Sequence, residues 1–361
     1  MFATTNNQKR FVYIDLLKLF ASILVIFSHC VIKFIDGGTA NPFFNFIWLT
    51  QMPIFMFTSG FLNITQEKYS TLKKFFKIQI KNAISLLVPC LSFLFVSSAI
   101  NNSNIIDSFI KFYFDPQTNL WFLWALFVIH FIFDIGLYFS NFIRNKFSQF
   151  FPVFLALLIC AFATISMFIP NNNFNYSILS IKLICYYIPF YCFGFLFHKI
   201  IKNNFFISKG GKIISLVLFL ICLIILLFEC LYFKSIYSFS DNSIKEIFIR
   251  ILGSFASIYV VFTSFYTVSK MKFFKKIAFL GSYSLQSYYL HIIFLGFFNF
   301  SIPGVFSQWL STFAIACILI IMIALSLLLI YFIPFSHLFL FGKSFSFYKI
   351  EKQMFERRKQ I

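Results

Sequence analysis

Residues 11–33 read FVYIDLLKLFASILVIFSHCVIK, a stretch long enough to cross a bilayer as a helix. It nevertheless contains Asp15, Lys18 and His29. A charged side chain in the hydrocarbon core costs about 2.5–3.5 kcal/mol on insertion scales, so such residues usually face a partner or a cavity and carry function. Lys18 and His29 are eleven positions apart, which is close to three helical turns and places them about 16 Å apart along one face. Asp15 lies near the same stripe, so we predict a polar track along this helix.

The composition of the whole chain indicates a membrane protein. Of its 361 residues, 60% are hydrophobic and 11% are charged, whereas soluble domains usually carry about 25% charged residues. Several apolar runs are long enough to span a bilayer. The predicted fold class is therefore an all-α, polytopic integral membrane protein.

The apolar runs predict about ten transmembrane helices joined by short connections. Residues 1–340 are expected to form one transmembrane domain, and residues 341–361 a basic cytoplasmic tail. The predicted spans cover residues 11–33, 43–62, 79–100, 119–140, 150–169, 178–198, 213–233, 247–269, 282–300 and 311–334.

The distribution of Lys and Arg predicts the orientation. If the N-terminus is cytoplasmic, 23 of the 30 basic residues fall on the cytoplasmic side and six on the other side, with Lys18 inside the membrane. Cytoplasmic segments of membrane proteins carry such an excess of basic residues. Both termini are therefore expected in the cytoplasm.

The net charge of +19 does not indicate a nucleic-acid partner, because the basic residues form short clusters between apolar spans. The eight cysteines include no CxxC pair and lie in or beside the spans, where we interpret them as small buried apolar residues. No metal site is expected.

Two further groups of polar residues fall within predicted spans. Ser284, Tyr288 and His291 share a helical face at i, i+4 and i+7. An imidazole near mid-membrane needs a partner, so we expect His291 to face the first helix or a cavity, in a catalytic or a structural role. His130 and Asp134 are one turn apart, and a structural pair and a catalytic pair both remain open.

Five segments together resemble membrane acyltransferase family 3. They are YIDLLKLFASILVIFSH (residues 13–29), MPIFMFTSGF (52–61), LWFLWAL (120–126), PFYCFGF (189–195) and GSYSLQSYYLH (281–291). The chain is most similar to the stand-alone sugar O-acetyltransferases of that family, of the fucose 4-O-acetylase type. Where the family most often has Arg eleven residues before the first-helix His, this chain has Lys18.

The resemblance implies a bacterial inner-membrane enzyme that transfers an acyl group, usually acetyl, from cytoplasmic acyl-CoA to a carbohydrate hydroxyl. The acceptor would be a cell-surface polysaccharide or a lipid-linked precursor. The candidate catalytic residues are His29, Lys18, Asp15 and His291, with His29 acting as general base or as a transient acyl carrier. The candidate residues for the phosphates of acetyl-CoA are Lys18, Lys73, Lys74 and Lys77.

Two other functions also fit the sequence. Ten helices with intramembrane charges are compatible with a transporter or flippase for lipid-linked sugars. The chain is also compatible with a non-catalytic member of a polysaccharide-export complex.

The orientation predicts opposite accessibility for two positions. In a variant without reactive native cysteines, Asn172→Cys is expected to react with a membrane-impermeant thiol reagent in intact cells, because residues 171–176 are predicted to lie outside. Lys209→Cys is expected to react only after the cells are opened. The reverse labelling pattern would invert the predicted orientation.

Overall fold

The computed structural model describes residues 11–63, 71–100, 104–114, 121–143, 146–167, 178–202, 208–232, 244–298, 305–331 and 340. All regular secondary structure within these residues is helical. The predicted tail at 341–361 and the predicted external loop at 171–176 lie outside the described residues. The all-helical fold class is confirmed.

Twelve α-helices occur in the described part of the chain. They are α1 (Val12–Phe34), α2 (Pro42–Leu62), α3 (Leu72–Ile100), α4 (Ile105–Phe114), α5 (Trp121–Ser140), α6 (Phe151–Met167), α7 (Ile181–Lys202), α8 (Lys209–Tyr232), α9 (Ile244–Val268), α10 (Lys272–Ile277), α11 (Ser284–Gly296) and α12 (Val305–Tyr331). A short 3-10 helix, Ala278–Tyr283, joins α10 to α11.

Each of the ten predicted spans coincides with a helix, whereas α4 and α10 were not predicted. Seven of the described helices are long and apolar enough to cross a membrane, namely α1, α3, α5, α7, α8, α9 and α12. The remaining three predicted spans correspond to α2, α6 and α11. These three helices are more polar or shorter. The helix α2 contains Asn45, Thr50 and Gln51, whereas α6 is apolar but only 17 residues long and α11 is 13 residues long.

The helix α3 begins at Leu72, seven residues before the predicted start of the third span. Its first turns carry the lysines that were assigned to the connection before it. Lysine is a good helix former, and its charge is well solvated when it is exposed, so the helix extends beyond the apolar run. Lys73, Lys74 and Lys77 therefore lie on a helix and are exposed.

The structure divides into two compact units. Among the described residues, the first unit contains those within 71–192 and from 326 onward, and the second contains those within 11–63 and 193–325. In the first unit α5 packs on α3 and α6. The contact with α6 is close at Gly136, where an added Cβ would lie 2.6 Å from the Cα atom of Pro152.

The helix α1 is the central helix of the second unit, where it packs against α2, α9, α11 and the 3-10 helix. The start of α2 is fixed locally, because the Asn41 side chain accepts a hydrogen bond from the Phe43 backbone N–H at 2.8 Å and Pro42 occupies the first helical position. The end of α2 meets α7 at Gly194, where any Cβ would collide with the Phe57 carbonyl. These contacts position one face of α1 towards the interior of the unit.

Candidate active site

The polar stripe of α1 faces the interior of the second unit. Asp15, Lys18 and Ser22 are buried, and His29 is half-buried. The Ser22 hydroxyl donates to the Lys18 carbonyl at 2.8 Å, so it is satisfied within the helix. Ile23, between these residues in sequence, is exposed, but Leu16 and Cys30 on the same side of the helix are buried. The helix α1 is therefore buried on most of its circumference, and the polar stripe lies within this buried surface.

The interior side of α1 runs alongside the 3-10 helix and α11, and in the same direction. At the start of α1, Gly281 lies against the backbone of Asp15 so closely that any Cβ would collide with the Asp15 carbonyl oxygen. At its end, the Lys33 ammonium donates to the Leu295 carbonyl with a distance of 2.7 Å. Leu295 lies in the last turn of α11, and its carbonyl oxygen also accepts a hydrogen bond from the Phe298 backbone N–H at 3.2 Å. Two contacts therefore fix the register between these segments.

His29 and His291 face each other between these two contacts. Their ring centroids are 5.1 Å apart, with an angle of 47° between the ring planes. His291 is only 1% exposed. The expectation that His291 faces the first helix rather than lipid is therefore confirmed.

The His291 ring has one nitrogen bonded and one without a partner. Its Nδ1 atom lies 3.1 Å from the Ser287 carbonyl oxygen. Its Nε2 atom is buried and has no hydrogen-bond partner within the described residues. The Tyr288 ring packs against the same imidazole with a centroid distance of 5.6 Å, and Ser284 is buried one turn earlier. The predicted common face of α11 is present.

A second polar contact joins α1 to α2 one residue before His29. The Ser28 hydroxyl lies within hydrogen-bond distance of Gln51 Oε1 and of the Val25 carbonyl, at 2.9 Å in each case. Both Ser28 and Gln51 are buried. This contact limits rotation of α1 about its axis and so helps to keep His29 directed towards α11.

The candidate donor-binding lysines other than Lys18 belong to the first unit. Lys73, Lys74 and Lys77 are exposed on the first two turns of α3. Lys18, in contrast, is buried in the second unit. Exposed ammonium groups on adjacent helical turns are suited to anionic ligands, because each is a flexible point charge.

A separate polar network lies inside the first unit. The Asp134 carboxylate accepts hydrogen bonds from Gln79 Nε2 at 2.9 Å and Asn82 Nδ2 at 3.2 Å. His130 Nδ1 lies 2.9 Å from the Tyr191 hydroxyl. Sequence reasoning singled out His130 and Asp134 but missed their partners, although amide side chains within an apolar span were a usable signal.

Glu229 on α8 was also missed. It is buried, and its carboxyl group fills the space left by the absent side chain of Gly253 on α9. The Oε2 atom of Glu229 has no hydrogen-bond partner in the part of the chain that the structure describes. The sequence signal was a carboxylate inside a predicted span, which is costly and therefore informative.

Comparison with known proteins defines the class of this helical membrane protein. The acyltransferase domain of acyltransferase family 3 matches residues 11–331, from the residue before α1 to the end of α12. The chain belongs to acyltransferase family 3. The histidine pair, the buried stripe of α1 and Gly281 all lie within the matched region.

Two curated relatives are similar to this chain at low identity. One is the nodulation protein NolL of Mesorhizobium japonicum, which is 25% identical over 296 residues, covering 76% of this chain and 72% of the relative. The other is the nodulation protein NolL of Sinorhizobium fredii, which is 25% identical over 213 residues, covering 56% and 52% respectively. No solved structure matches this chain.

Gly281→Ala is expected to separate the 3-10 helix from α1, because the added methyl group has no space beside Asp15. Overpacking of this kind costs about 1–3 kcal/mol, so the variant should have a lower melting temperature in detergent and lower acyltransferase activity. Gly296→Ala at the end of α11 is the matched control, since no atom lies within 4 Å of its added Cβ. Equal behaviour of the two variants would contradict the proposed close contact.

Proposed function

We propose that this protein transfers an acyl group, with acetyl favoured, from cytoplasmic acyl-CoA to a carbohydrate hydroxyl. The acceptor is a cell-surface polysaccharide or a lipid-linked precursor, and the protein resides in a bacterial inner membrane. Membership of acyltransferase family 3 supports the reaction class. The observation that supports the site is the His29–His291 pair on the interior face of α1.

In this proposal His29 acts as general base. The acceptor hydroxyl oxygen attacks the thioester carbonyl carbon while an imidazole nitrogen of His29 takes the hydroxyl proton. The C–S bond then breaks, the thiolate of CoA leaves, and the proton on His29 is returned to it. General base catalysis of this kind contributes about 10²–10⁴-fold. The half-buried position of His29 supports this role, because the ring is packed against His291 and still partly accessible.

The donor is proposed to bind through its phosphates. CoA carries several phosphate charges, and Lys73, Lys74 and Lys77 present three exposed ammonium groups within two turns of α3. A contact of Lys18 with the donor is proposed separately, because Lys18 is buried eleven residues before His29 on the same stripe. Asp15 is proposed to hold the Lys18 ammonium, since the two side chains are three residues apart on one helical face.

We propose that the chain crosses the membrane ten times with both termini in the cytoplasm. Contacts between aromatic rings bring four helix ends of the second unit together, namely the start of α1 and the ends of α2, α7 and α9. The centroid of Tyr13, at the start of α1, lies 5.4 Å from that of Tyr266 at the end of α9 and 6.0 Å from that of Phe61 at the end of α2. The Phe61 ring in turn lies 4.6 Å from that of His198 at the end of α7. Helix ends in contact share one side of the membrane.

This arrangement constrains the number of crossings between those ends. The ends of α2 and α7 lie on one side, so an even number of crossings separates them. Because α3, α5 and α7 provide three, a fourth is required, and the 17-residue apolar helix α6 is suited to it. The parallel course of α1 and α11 supports a further crossing by α11. Together with α1, α2, α8, α9 and α12 the total is ten, and the basic residues favour a cytoplasmic side for these helix ends.

His29→Ala is expected to lower acyl transfer by about 10²–10⁴-fold, because the base is removed. The purified protein would be given radiolabelled acetyl-CoA and a panel of nitrophenyl glycosides, with acetylated products identified by mass spectrometry. Ile23→Ala is the matched control, since the Ile23 side chain is exposed on the same helix. Wild-type rates in His29→Ala would exclude His29 as the base.

The triple substitution of Lys73, Lys74 and Lys77 by Gln is expected to raise KM for acetyl-CoA with kcat little changed. Three exposed ion pairs of about 0.2–1 kcal/mol each predict an increase of about threefold to a hundredfold. The effect should shrink at high salt. The control is the same change at Lys272, Lys275 and Lys276, which are exposed on α10. An equal rise in KM in both triple variants would indicate a general charge effect instead of a phosphate site.

A further inference from the structure

Among the residues that the structure describes, no hydrogen-bond donor reaches the Nε2 atom of His291. The Nδ1 atom lies 3.1 Å from the Ser287 carbonyl oxygen, which can only accept a hydrogen bond. The hydrogen of the neutral ring is therefore on Nδ1, and Nε2 carries a lone pair. This atom is buried and has no hydrogen-bond partner within the described residues.

His29 is the imidazole packed against the His291 ring. The centroids of the two imidazoles are 5.1 Å apart. A hydrogen bond of about 2.9 Å between two ring nitrogens, added to the distance from each nitrogen to its own ring centre, spans about this separation. A hydrogen bond between the rings at this separation requires a nitrogen of each ring to point at the other ring.

We propose that His291 is a positioning residue that accepts a hydrogen bond from His29 and thereby determines which nitrogen of His29 acts as the base. This inference rests on the proposed acyl transfer. The His29 nitrogen nearer to His291 carries the hydrogen, so the other nitrogen carries the lone pair that takes the proton of the acceptor hydroxyl. Ser287, His291 and His29 then form a chain of donors and acceptors with a single polarity.

The same contact stabilises the transition state more than the ground state. When His29 takes the acceptor proton, its ring becomes an imidazolium ion, and its hydrogen bond to His291 becomes charge-assisted. Such bonds are roughly twice as strong as those between neutral groups. An interaction that strengthens as charge develops raises kcat and leaves substrate binding largely unaltered.

The packing of α1 against α11 holds the two rings at this distance. Gly281 permits backbone contact at one end, and the Lys33 ammonium is bonded to the Leu295 carbonyl at the other. Lys33 and Leu295 each lie one turn beyond a histidine of the pair. The ring separation is therefore set by the helix register, as a positioning role requires.

A purely structural role explains the geometry less well. A buried ring with one unsatisfied nitrogen is costly, and an apolar ring would fill the same space without that cost. The partly exposed His29 ring supplies the missing donor only when it adopts one tautomer. Fixing that tautomer is the function that we assign to His291.

Two conservative substitutions separate these roles. In His291→Asn the amide nitrogen replaces Nδ1 and keeps the bond to Ser287, but the acceptor facing His29 is lost. In His291→Gln the amide oxygen reaches the position of Nε2 and restores that acceptor. We expect kcat to fall about 10- to 100-fold in His291→Asn, the size of a hydrogen bond to a charged group. His291→Gln should recover most of the loss, and KM for acetyl-CoA should stay within about twofold in both.

The experiment uses the full chain in lipid nanodiscs, with Phe297→Ala at the exposed end of α11 as the control. Transfer to nitrophenyl glycosides and slow hydrolysis of acetyl-CoA are followed together, because water uses the same base. One outcome separates the two proposals: the hydrolysis rate falls in His291→Asn and recovers in His291→Gln, but no glycoside is acetylated. That outcome would contradict the proposed acceptor and support the role of His291. Equal kcat values in the Asn and Gln variants, or a loss confined to KM, would overturn the inference.

Nitrogen NMR of the ¹⁵N-histidine-labelled protein provides a readout that does not depend on activity. In the wild type we expect His291 protonated on Nδ1 and His29 in one tautomer. In His291→Asn the His29 signals should show both tautomers, and in His291→Gln a single tautomer again. A His29 tautomer that is unaffected by either substitution would also overturn the proposal.

Discussion

The cost of ionisable groups in hydrocarbon governs the arrangement of this protein. The first helix carries Asp15, Lys18 and His29, so it cannot present that face to lipid. It is instead surrounded by α2, α9, α11 and the 3-10 helix of its own unit, and most of its residues are buried. The close contact at Gly281 and the bond from Lys33 to Leu295 follow from the same requirement, since both allow α11 and the segment before it to cover the stripe.

The described residues meet this constraint in two ways. In the first unit, Asp134 receives hydrogen bonds from two amide groups, so the carboxylate is solvated by the protein itself. In the second unit, Nε2 of His291 and Oε2 of Glu229 are buried without such a partner. An unsatisfied buried atom keeps a free energy that a ligand or a neighbouring group can recover. The amides that bind Asp134 also carry buried oxygens without a partner in the described residues, Gln79 Oε1 and Asn82 Oδ1, so the histidine pair differs in having a partly exposed imidazole beside its unsatisfied nitrogen.

Local patterns were sufficient to predict much of this structure from the sequence. Helical spacing identified the buried stripe of α1 and the common face of Ser284, Tyr288 and His291, because both depend only on residues within one helix. The short helix α10 was missed because it has six residues and a basic composition. Glu229 was missed because the glycine that accommodates its carboxyl group, Gly253, lies on a different helix.

The meeting of His29 with His291 was predicted only in general terms. The cost of an unpaired imidazole indicated that His291 needs a partner, but no local pattern relates two helices so far apart in the chain. Their alignment depends on Gly281, whose importance is steric and appears only when the neighbouring backbone is known. The sequence likewise leaves open whether His291 is catalytic or structural, because that question depends on which ring nitrogen has a partner.

The two segments of the second unit, residues 11–63 and 193–325, are synthesised at very different times. Lys33 and Leu295 are separated by 262 positions, and at about 5–20 residues per second the ribosome needs roughly 13–50 s to produce the later one. During that interval α1 is already made while its partner α11 does not yet exist. The nascent first helix must therefore remain in the insertion machinery, lie near the membrane surface or find a temporary partner for its polar stripe. The placement that creates the histidine pair thus makes assembly of this protein a late event, completed only after almost the whole chain has been translated.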